Sequence, residues 1–158
     1  MIIQATEKDF NTVYRILSHE SVYPFLCDDY CPKKPDDDVG LLFLKDPAIK
    51  VLLPNEDSAF AFIPLSMNMY HIHLGILPES RGKLGVSSGK EAIWWMFENT
   101  ECVSIIGFFS EENKPALRYC SLVGFKRIGI IEKSFKKNNI MYDQIIFNIN
   151  KGDISCLG

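Results

Sequence analysis

The sequence predicts a mixed α/β (α+β) domain built around one β-sheet, and three observations lead to this fold class. Runs of alternating or continuous apolar residues, typical of strands, are interleaved with segments in which apolar residues recur at helical spacing. The length of 158 residues suits one domain. The apolar share of 47% and the charged share of 23% are ordinary for a globular protein. We expect the domain to span 1–150, with 151–158 as a frayed C-terminal tail.

The order of the elements follows from periodicity and from the positions of glycine and proline. We expect a short strand at 2–5, an amphipathic helix at 7–18 that begins at Thr6, and a short helical piece at 21–29 broken near Pro24. The remaining elements are a hairpin of strands at 48–53 and 58–66, a central strand at 67–77, a helix at 86–99, a buried strand at 102–109, a helix at 113–123 that ends at Gly124, and two antiparallel strands at 125–135 and 139–150.

Charge and cysteine usage exclude several classes of protein. A net charge of −3 argues against a nucleic-acid binder. The absence of a long apolar run argues against a membrane protein, and the N-terminus lacks the features of a signal peptide. The five cysteines form no evident disulfide framework, so we expect a cytoplasmic protein. Cys27 and Cys31 are spaced as half a zinc site or as two ordinary thiols, and without a second pair we expect no metal.

The segment "ILPESRGKLGVSSGK" has the form of a phosphate-binding turn. A strand ends near Pro78, a basic turn containing glycine follows, and a helix begins. The first turn of a helix offers unpaired backbone N–H groups and a partial positive charge, which suit a pyrophosphate. The alternative is a basic turn with two conformational glycines. Leu84 and Val86 stand where such turns favour glycine, and each carries a Cβ at the point of close approach.

Two segments of the chain resemble the GCN5-related N-acetyltransferase (GNAT) superfamily. In the first, the family's strand end and acetyl-CoA loop are matched by Ile76-Leu77-Pro78 and Arg81-Gly82-Lys83. In the second, the family's helix motif is matched by Asn113, Ala116, Gly124 and Phe125. The C-terminal region with Asp143 is most similar to the branch that contains ribosomal-protein N-terminal acetyltransferases and polyamine acetyltransferases.

The resemblance implies a fold, a reaction and a co-substrate. The GNAT fold has a mixed, mostly antiparallel central sheet of six to seven strands flanked by about four helices, and its fourth strand splays from the fifth. The implied activity is transfer of an acetyl group from acetyl-CoA to a primary amine of a peptide, protein or small molecule, by direct attack. The residues that would contact acetyl-CoA are Ile76, Arg81, Gly82, Lys83, Leu84, Gly85, Val86 and Asn113, with the backbone at Ile76 polarising the thioester carbonyl.

His71 and His73 are the candidate bases. They share one face of an extended strand because side chains alternate, and histidine titrates near neutrality. The resemblance favours His71, with His73 second. The alternative is that both are half-buried histidines without a chemical role. The family's usual acid, a tyrosine, is replaced here by Cys120, which is either a proton donor or a packed thiol. Tyr119 precedes it, about 100° away around the helix.

Acceptor specificity is expected in the 19–40 region. Its carboxylates either attract a cationic amine or belong to a solvated loop, and they are Asp28, Asp29, Asp36, Asp37 and Asp38. A second hypothesis is a GNAT-fold protein that has lost catalysis and serves as an interaction or assembly subunit, including one of phage origin. Leu84, Val86 and the missing tyrosine favour it. The C-terminal strands are able to pair with another chain, so a homodimer remains open.

Overall fold

The computed structural model describes residues 2–36, 41 and 43–154. These form a seven-stranded sheet in the order β1-β2-β3-β4-β5-β7-β6. The strands are β1 Ile3–Gln4, β2 Lys50–Asn55, β3 Ser58–Pro64, β4 Met69–Ile76, β5 Ser104–Ser110, β6 Lys126–Lys137 and β7 Ile140–Asn150. The helices are α1 Phe10–Leu17, α2 Tyr23–Leu26, α3 Lys83–Asn99, α4 Lys114–Val123 and α5 Lys151–Ile154. The predicted mixed α/β class with one mostly antiparallel sheet is confirmed.

Turn chemistry explains where several elements begin and end. Gly124 ends α4 in the left-handed conformation with φ 114°, as the sequence predicts. Gly82 has φ 81° and precedes α3, which begins at Lys83 rather than at residue 86. Residues 84–86 therefore form the first turn of the helix and are not part of a loop. Pro24 was expected to break α2, but it lies in the first turn, where its missing N–H costs nothing.

The sheet separates two apolar layers. On one face, buried side chains of β3, β4, β5 and β7 pack against α3 and α4, including Phe60, Phe62, Ile93 and Met96. On the other face, Ala59 and Ala61 of β3 pack against α1 and the chain that follows it, including Val13, Ile16 and Val22. We call these the α3 face and the α1 face. Alternation along β4 places Tyr70 and Ile72 on the α3 face and His71, His73 and Gly75 on the α1 face.

Strands β4 and β5 are parallel and remain paired for three residues only. The register runs from Met69–Ser104 to His71–Ile106 and then stops, although β4 continues to Ile76 and β5 to Ser110. On its other side β4 stays paired with β3 as far as Ile76. The second half of β4 therefore has a strand edge that faces a gap instead of β5. This is the splay that the resemblance implies.

The C-terminal segment is more ordered than expected. Lys151–Ile154 form one helical turn after β7 instead of fraying, and Lys151 Nζ donates a hydrogen bond to the backbone oxygen of Phe97. Residues 155–158 of the predicted tail lie outside the described part of the chain. No helix among the described residues is long and apolar enough to cross a membrane.

Replacing Gly75 by alanine should destabilise the protein. A Cβ at Gly75 would lie 3.0 Å from side-chain atoms of Ile16 and Val22 and 3.1 Å from Leu17, so the packing of α1 on β4 must shift. Overpacking of this kind costs about 1–3 kcal/mol in the free energy of unfolding. Urea denaturation measures the loss. Gly152→Ala is the matched control, since its Cβ meets nothing within 4 Å. Equal stability of the two variants would contradict the packing described here.

Candidate functional site

A cavity of about 910 Å³ occupies the gap between β4 and β5. Its walls come from both faces of the sheet. The α3-face side is lined by the start of α3 and by α4, including Gly82, Gly85, Val86, Asn113, Lys114, Arg118 and Tyr119. The α1-face side is lined by α2 and by β4 to β7, including Phe25, Leu26, His71, His73, Phe108, Ser110, Ile131, Phe135 and Gln144. One continuous space thus reaches from a helix N-terminus to the histidine pair.

The start of α3 closely approaches the end of β4. Gly85 is buried, and a Cβ there would lie 2.9 Å from the backbone oxygen of Ser80. Glycine is therefore required at this position by packing. Val86 is half-buried and lines the cavity, whereas the side chain of Leu84 is 52% exposed and does not line it. Of the two residues that depart from the family's glycines, only Val86 narrows the space in front of the helix.

Arg81 joins three parts of the chain. Its Nε donates to the backbone oxygen of Ile76 at 3.1 Å, and its Nη2 donates to Ser21 Oγ at 2.9 Å and to the Ser21 backbone oxygen at 3.1 Å. The guanidinium therefore holds the end of β4 against the segment between α1 and α2. Lys83, by contrast, is exposed and does not line the cavity. Arg81 has a structural role that the sequence does not reveal, because Ser21 is sixty residues away.

Asn113 and Tyr119 organise the α4 side. Asn113 is the N-cap of α4, as predicted, and its Oδ1 accepts from the Ala116 N–H at 3.3 Å. The Tyr119 hydroxyl donates to the backbone oxygen of Gly85 at 3.0 Å and so ties α4 to the first turn of α3. Burial raises the pKa of Tyr119 well above its ordinary value. The phenol therefore stays protonated at neutral pH.

Cys120, the position that corresponds to the family's tyrosine, does not reach the cavity. Its side chain is buried in the core of the α3 face, and burial raises its pKa to about 12. The packed-thiol interpretation fits this environment. Tyr119 lines the cavity instead, because α4 is rotated so that the position before Cys120 faces the gap.

The two histidines lie side by side, as the alternation predicts. Their ring centroids are 4.3 Å apart, and the Phe108 ring meets His71 edge-on at 5.0 Å. Burial, with a smaller contribution from His73, lowers the pKa of His71 to about 4. Burial also lowers the pKa of His73. Both rings are therefore neutral near pH 7.

The carboxylates expected near the acceptor stabilise a loop. Asp29 accepts from the backbone N–H groups of Asn138 and Asn139, each at 2.9 Å, and these bonds lower its pKa. Asp28 accepts from the Tyr30 N–H at 2.9 Å. Neither residue lines the cavity, nor does Asp36, while Asp37 and Asp38 lie outside the described residues. The described residues contain no cluster of three metal-ligating side chains, and Cys27 and Cys31 are free thiols.

Sequence reasoning missed several residues of the site. Ser21, just before α2, and Phe25, within α2, fall in the 19–40 region expected to form the acceptor side, but no local motif marks either residue. Phe108 and Ser110 do carry a signal, since alternation along β5 places them on the same face as Ile106, which pairs with His71. This alternation becomes informative only once β4 and β5 are known to be neighbours in the sheet.

Stability should fall as the pH drops below neutrality, in part because of His71. In the unfolded chain this histidine has its ordinary pKa of 6.5, whereas in the folded protein the value is about 4. Between these values the unfolded state binds a proton that the folded state does not, so the free energy of unfolding decreases with falling pH. His73 acts in the same direction. His71→Gln should make the decrease shallower.

Denaturation midpoints at about pH 7 and about pH 5 test this effect, because the two values lie on either side of the ordinary histidine pKa. His19→Gln is the control, since His19 lies outside the cavity and hydrogen-bonds to Ser21. If the stability of His71→Gln and of the unmodified protein decreased equally between about pH 7 and about pH 5, His71 would not be a buried, neutral group.

Comparison with known structures identifies the fold. A ribosomal-protein-S5-alanine acetyltransferase from Vibrio fischeri aligns with a TM-score of 0.74 at 15% identity, over 96% of this chain and 93% of the other. A spermidine N-acetyltransferase from Vibrio cholerae, in complex with CoA and spermine, aligns with a TM-score of 0.79 at 15% identity, over 97% and 96%. A GNAT-family acetyltransferase from Bacillus anthracis aligns with a TM-score of 0.73 at 19% identity, over 96% and 94%.

These likenesses confirm the GNAT fold predicted from the two sequence segments, and at such identities they show the fold alone. They include both types of acetyltransferase named for the resembled branch. They give no support to a phage origin. No curated protein matches the sequence. A family model described as "Protein of unknown function (DUF2824)" matches residues 60–157, which is more than half of the chain, and the chain belongs to that family.

Proposed function

We propose that the protein is an acetyl-CoA-dependent N-acetyltransferase that acetylates a primary amine of a peptide, protein or small molecule by direct attack. The observation that carries this proposal is the early end of the β4–β5 pairing at His71 and Ile106. It opens a cavity that reaches from the first turn of α3 to a pair of neutral histidines. A binding groove for an extended thioester and a proton acceptor thus lie in one continuous space.

The groove fits the parts of acetyl-CoA. The N-terminal turn of α3, with Gly82, Gly85 and Val86 at the cavity, suits the pyrophosphate. The strand edge of β4 beyond His71 suits the amide groups of the pantetheine, because extended backbone can be paired by a ligand in place of β5. Lys114 and Arg118 at the α4 wall add positive charge near the phosphates.

Residues at the splay would organise the reaction. Acetyl-CoA supplies the thioester, whose C–S bond breaks when the amine nitrogen bonds to the carbonyl carbon. Only a hydrogen-bond donor can polarise a carbonyl, so the role assigned to the backbone at Ile76 would belong to its N–H group, while its oxygen accepts from Arg81. His71, directly or through water, accepts the proton that the amine loses. The Tyr119 hydroxyl lines the cavity but donates its proton to the backbone oxygen of Gly85, and Cys120 is buried, so the sulfur would leave as the CoA thiolate without a side-chain acid.

A carboxylate placed before the α3 N-terminus should weaken acetyl-CoA binding. Val86→Glu introduces a negative charge at a cavity-lining position, where it opposes the pyrophosphate. An added repulsion of about 1.4 kcal/mol, modest for two charges within several ångströms, lowers affinity about tenfold. Isothermal titration with acetyl-CoA measures the change.

Ser87→Glu is the matched control for this substitution. It adds the same charge one residue along α3, but Ser87 is exposed and does not line the cavity.

Saturating acetyl-CoA at 100 times its Kd should also stabilise the unmodified protein by about 2.7 kcal/mol, seen as a rise in Tm. An unmoved Tm would overturn the proposed function and favour a GNAT-fold interaction subunit. Equal affinities of Val86→Glu and Ser87→Glu for acetyl-CoA would show that its pyrophosphate does not lie before the α3 N-terminus.

His71→Gln should lower kcat without weakening acetyl-CoA binding. Loss of a positioned general base costs about 100-fold to 10,000-fold in rate. Thiol release from acetyl-CoA measures turnover, and calorimetry measures binding. His73→Gln tests the second candidate in the same assay. If His71→Gln retains full activity across the pH range, His71 has no part in proton transfer.

A further inference from the structure

We infer that the acceptor is a primary monoamine with an apolar body of about aromatic size. This inference rests on the proposed function and adds the substrate class of the same site. It comes from the side chains that line the α1-face half of the cavity and from the charges of the whole lining.

The strand register gathers the acceptor half of the cavity into one patch. Ser110 of β5 lies opposite Gln144 of β7, and Gln144 lies opposite Ile131 of β6. These three residues therefore form a row across the α1 face. Phe108 lies two residues before Ser110 on the same face and contacts His71. The row continues directly from the proposed base.

This patch is largely apolar. Its aromatic and aliphatic members are Phe25, Leu26, Phe108, Ile131 and Phe135. Phe25 is 52% exposed and Ile131 41% exposed, so both present apolar surface that a ligand can still bury. Besides the histidines, the polar members are the hydroxyl groups of Ser21 and Ser110 and the amide of Gln144, which are uncharged. An apolar group entering here would lose contact with water and gain contact with rings and branched chains.

The charges on the lining are unfavourable for a polycation. No aspartate or glutamate is found among the described residues that line the cavity. Three basic residues do line it, namely Arg81, Lys114 and Arg118. Among these residues a second ammonium group would find no carboxylate partner when it is desolvated, which is costly. The histidines are neutral and supply no negative charge either.

Two of the carboxylates adjacent in sequence to the patch, those of Glu111 and Asp143, accept backbone hydrogen bonds. Glu111 follows Ser110, and its Oε1 accepts from the Asp143 N–H at 3.2 Å. Asp143 precedes Gln144, and its Oδ1 accepts from the Lys133 N–H at 2.8 Å. Both carboxylates accept hydrogen bonds from backbone N–H groups within β6 and β7, and neither lines the cavity.

An apolar pocket also favours the reactive form of a monoamine. Desolvation disfavours an ammonium ion and lowers its pKa, which raises the fraction of neutral amine that can attack the thioester. The neutral His71 beside Phe108 can then accept the proton released during bond formation. A single amine at the end of an apolar body fits this arrangement.

Phenethylamine and putrescine are suitable probes, because the first carries one amine on an aromatic body and the second carries two amines. Each is titrated by calorimetry into the protein saturated with CoA. Burial of a ring of this size is worth about 1.5–3 kcal/mol, so phenethylamine should bind at least about tenfold more tightly. Equal or tighter binding of putrescine would overturn the inference, as would the absence of binding by either amine.

Gln144→Glu tests the role of charge at nearly constant shape. A carboxylate in the row beside Ser110 should narrow the difference between the amines by strengthening putrescine binding about tenfold, for an added attraction of about 1.4 kcal/mol. Gln4→Glu is the matched control, since Gln4 is exposed on β1 at the opposite edge of the sheet. An unchanged preference in Gln144→Glu would show that the acceptor does not occupy this patch.

The two proposals fail in different ways. If acetyl-CoA does not bind, the proposed function fails, and the same amine titrations with the protein alone still rank phenethylamine against putrescine. If acetyl-CoA binds and putrescine is preferred, the N-acetyltransferase proposal stands and the monoamine inference is wrong.

Discussion

The interruption of the β4–β5 ladder is the constraint on which the rest of the site depends. Parallel strands are normally covered on both sides by neighbours, and an uncovered stretch of β4 leaves backbone groups to be satisfied by something else. The fold keeps the gap open by bracing its two sides separately. Strand β3 holds β4 along its full length, and β7 holds β5 along its full length. The cavity is therefore a property of the sheet and not of a loop.

Short-range chemistry explains why much of this architecture can be read from the sequence. Gly124 predicts the end of α4, the alternation of "YHIHLG" predicts that the histidines share a face, and Asn113 predicts the start of α4. Each signal lies within a few residues of the feature it specifies. The turn between β4 and α3 was predicted in the correct place for the same reason. Residues 83–85 were wrongly left outside the helix, because the start of α3 depends on the backbone of Gly82 and on the close approach of Gly85 to Ser80.

Contacts between distant segments could not be predicted, and they decide the character of the site. The orientation of α4 places Tyr119 at the cavity and Cys120 in the core, which a helical repeat alone does not reveal. From the sequence alone, Asp29 could either attract a cationic amine or stabilise a loop. Its hydrogen bonds from the backbone N–H groups of Asn138 and Asn139 support the second role. Arg81 resembles a phosphate ligand in sequence, yet its guanidinium also joins Ser21 to Ile76.

The link between Asp29 and the β6–β7 turn also bears on how the protein is made. Asp29 and its partners are 109 and 110 residues apart, and Lys137 Nζ reaches the backbone oxygen of Cys27 over a similar separation. Closing so long a loop has an entropic cost and slows folding. During synthesis the segment that carries Phe25 and Leu26 emerges early but gains these anchors only after residues 137–139 have left the ribosome. The proposed acceptor wall is therefore completed only after the β6–β7 turn has been synthesised, later than the strands up to β5.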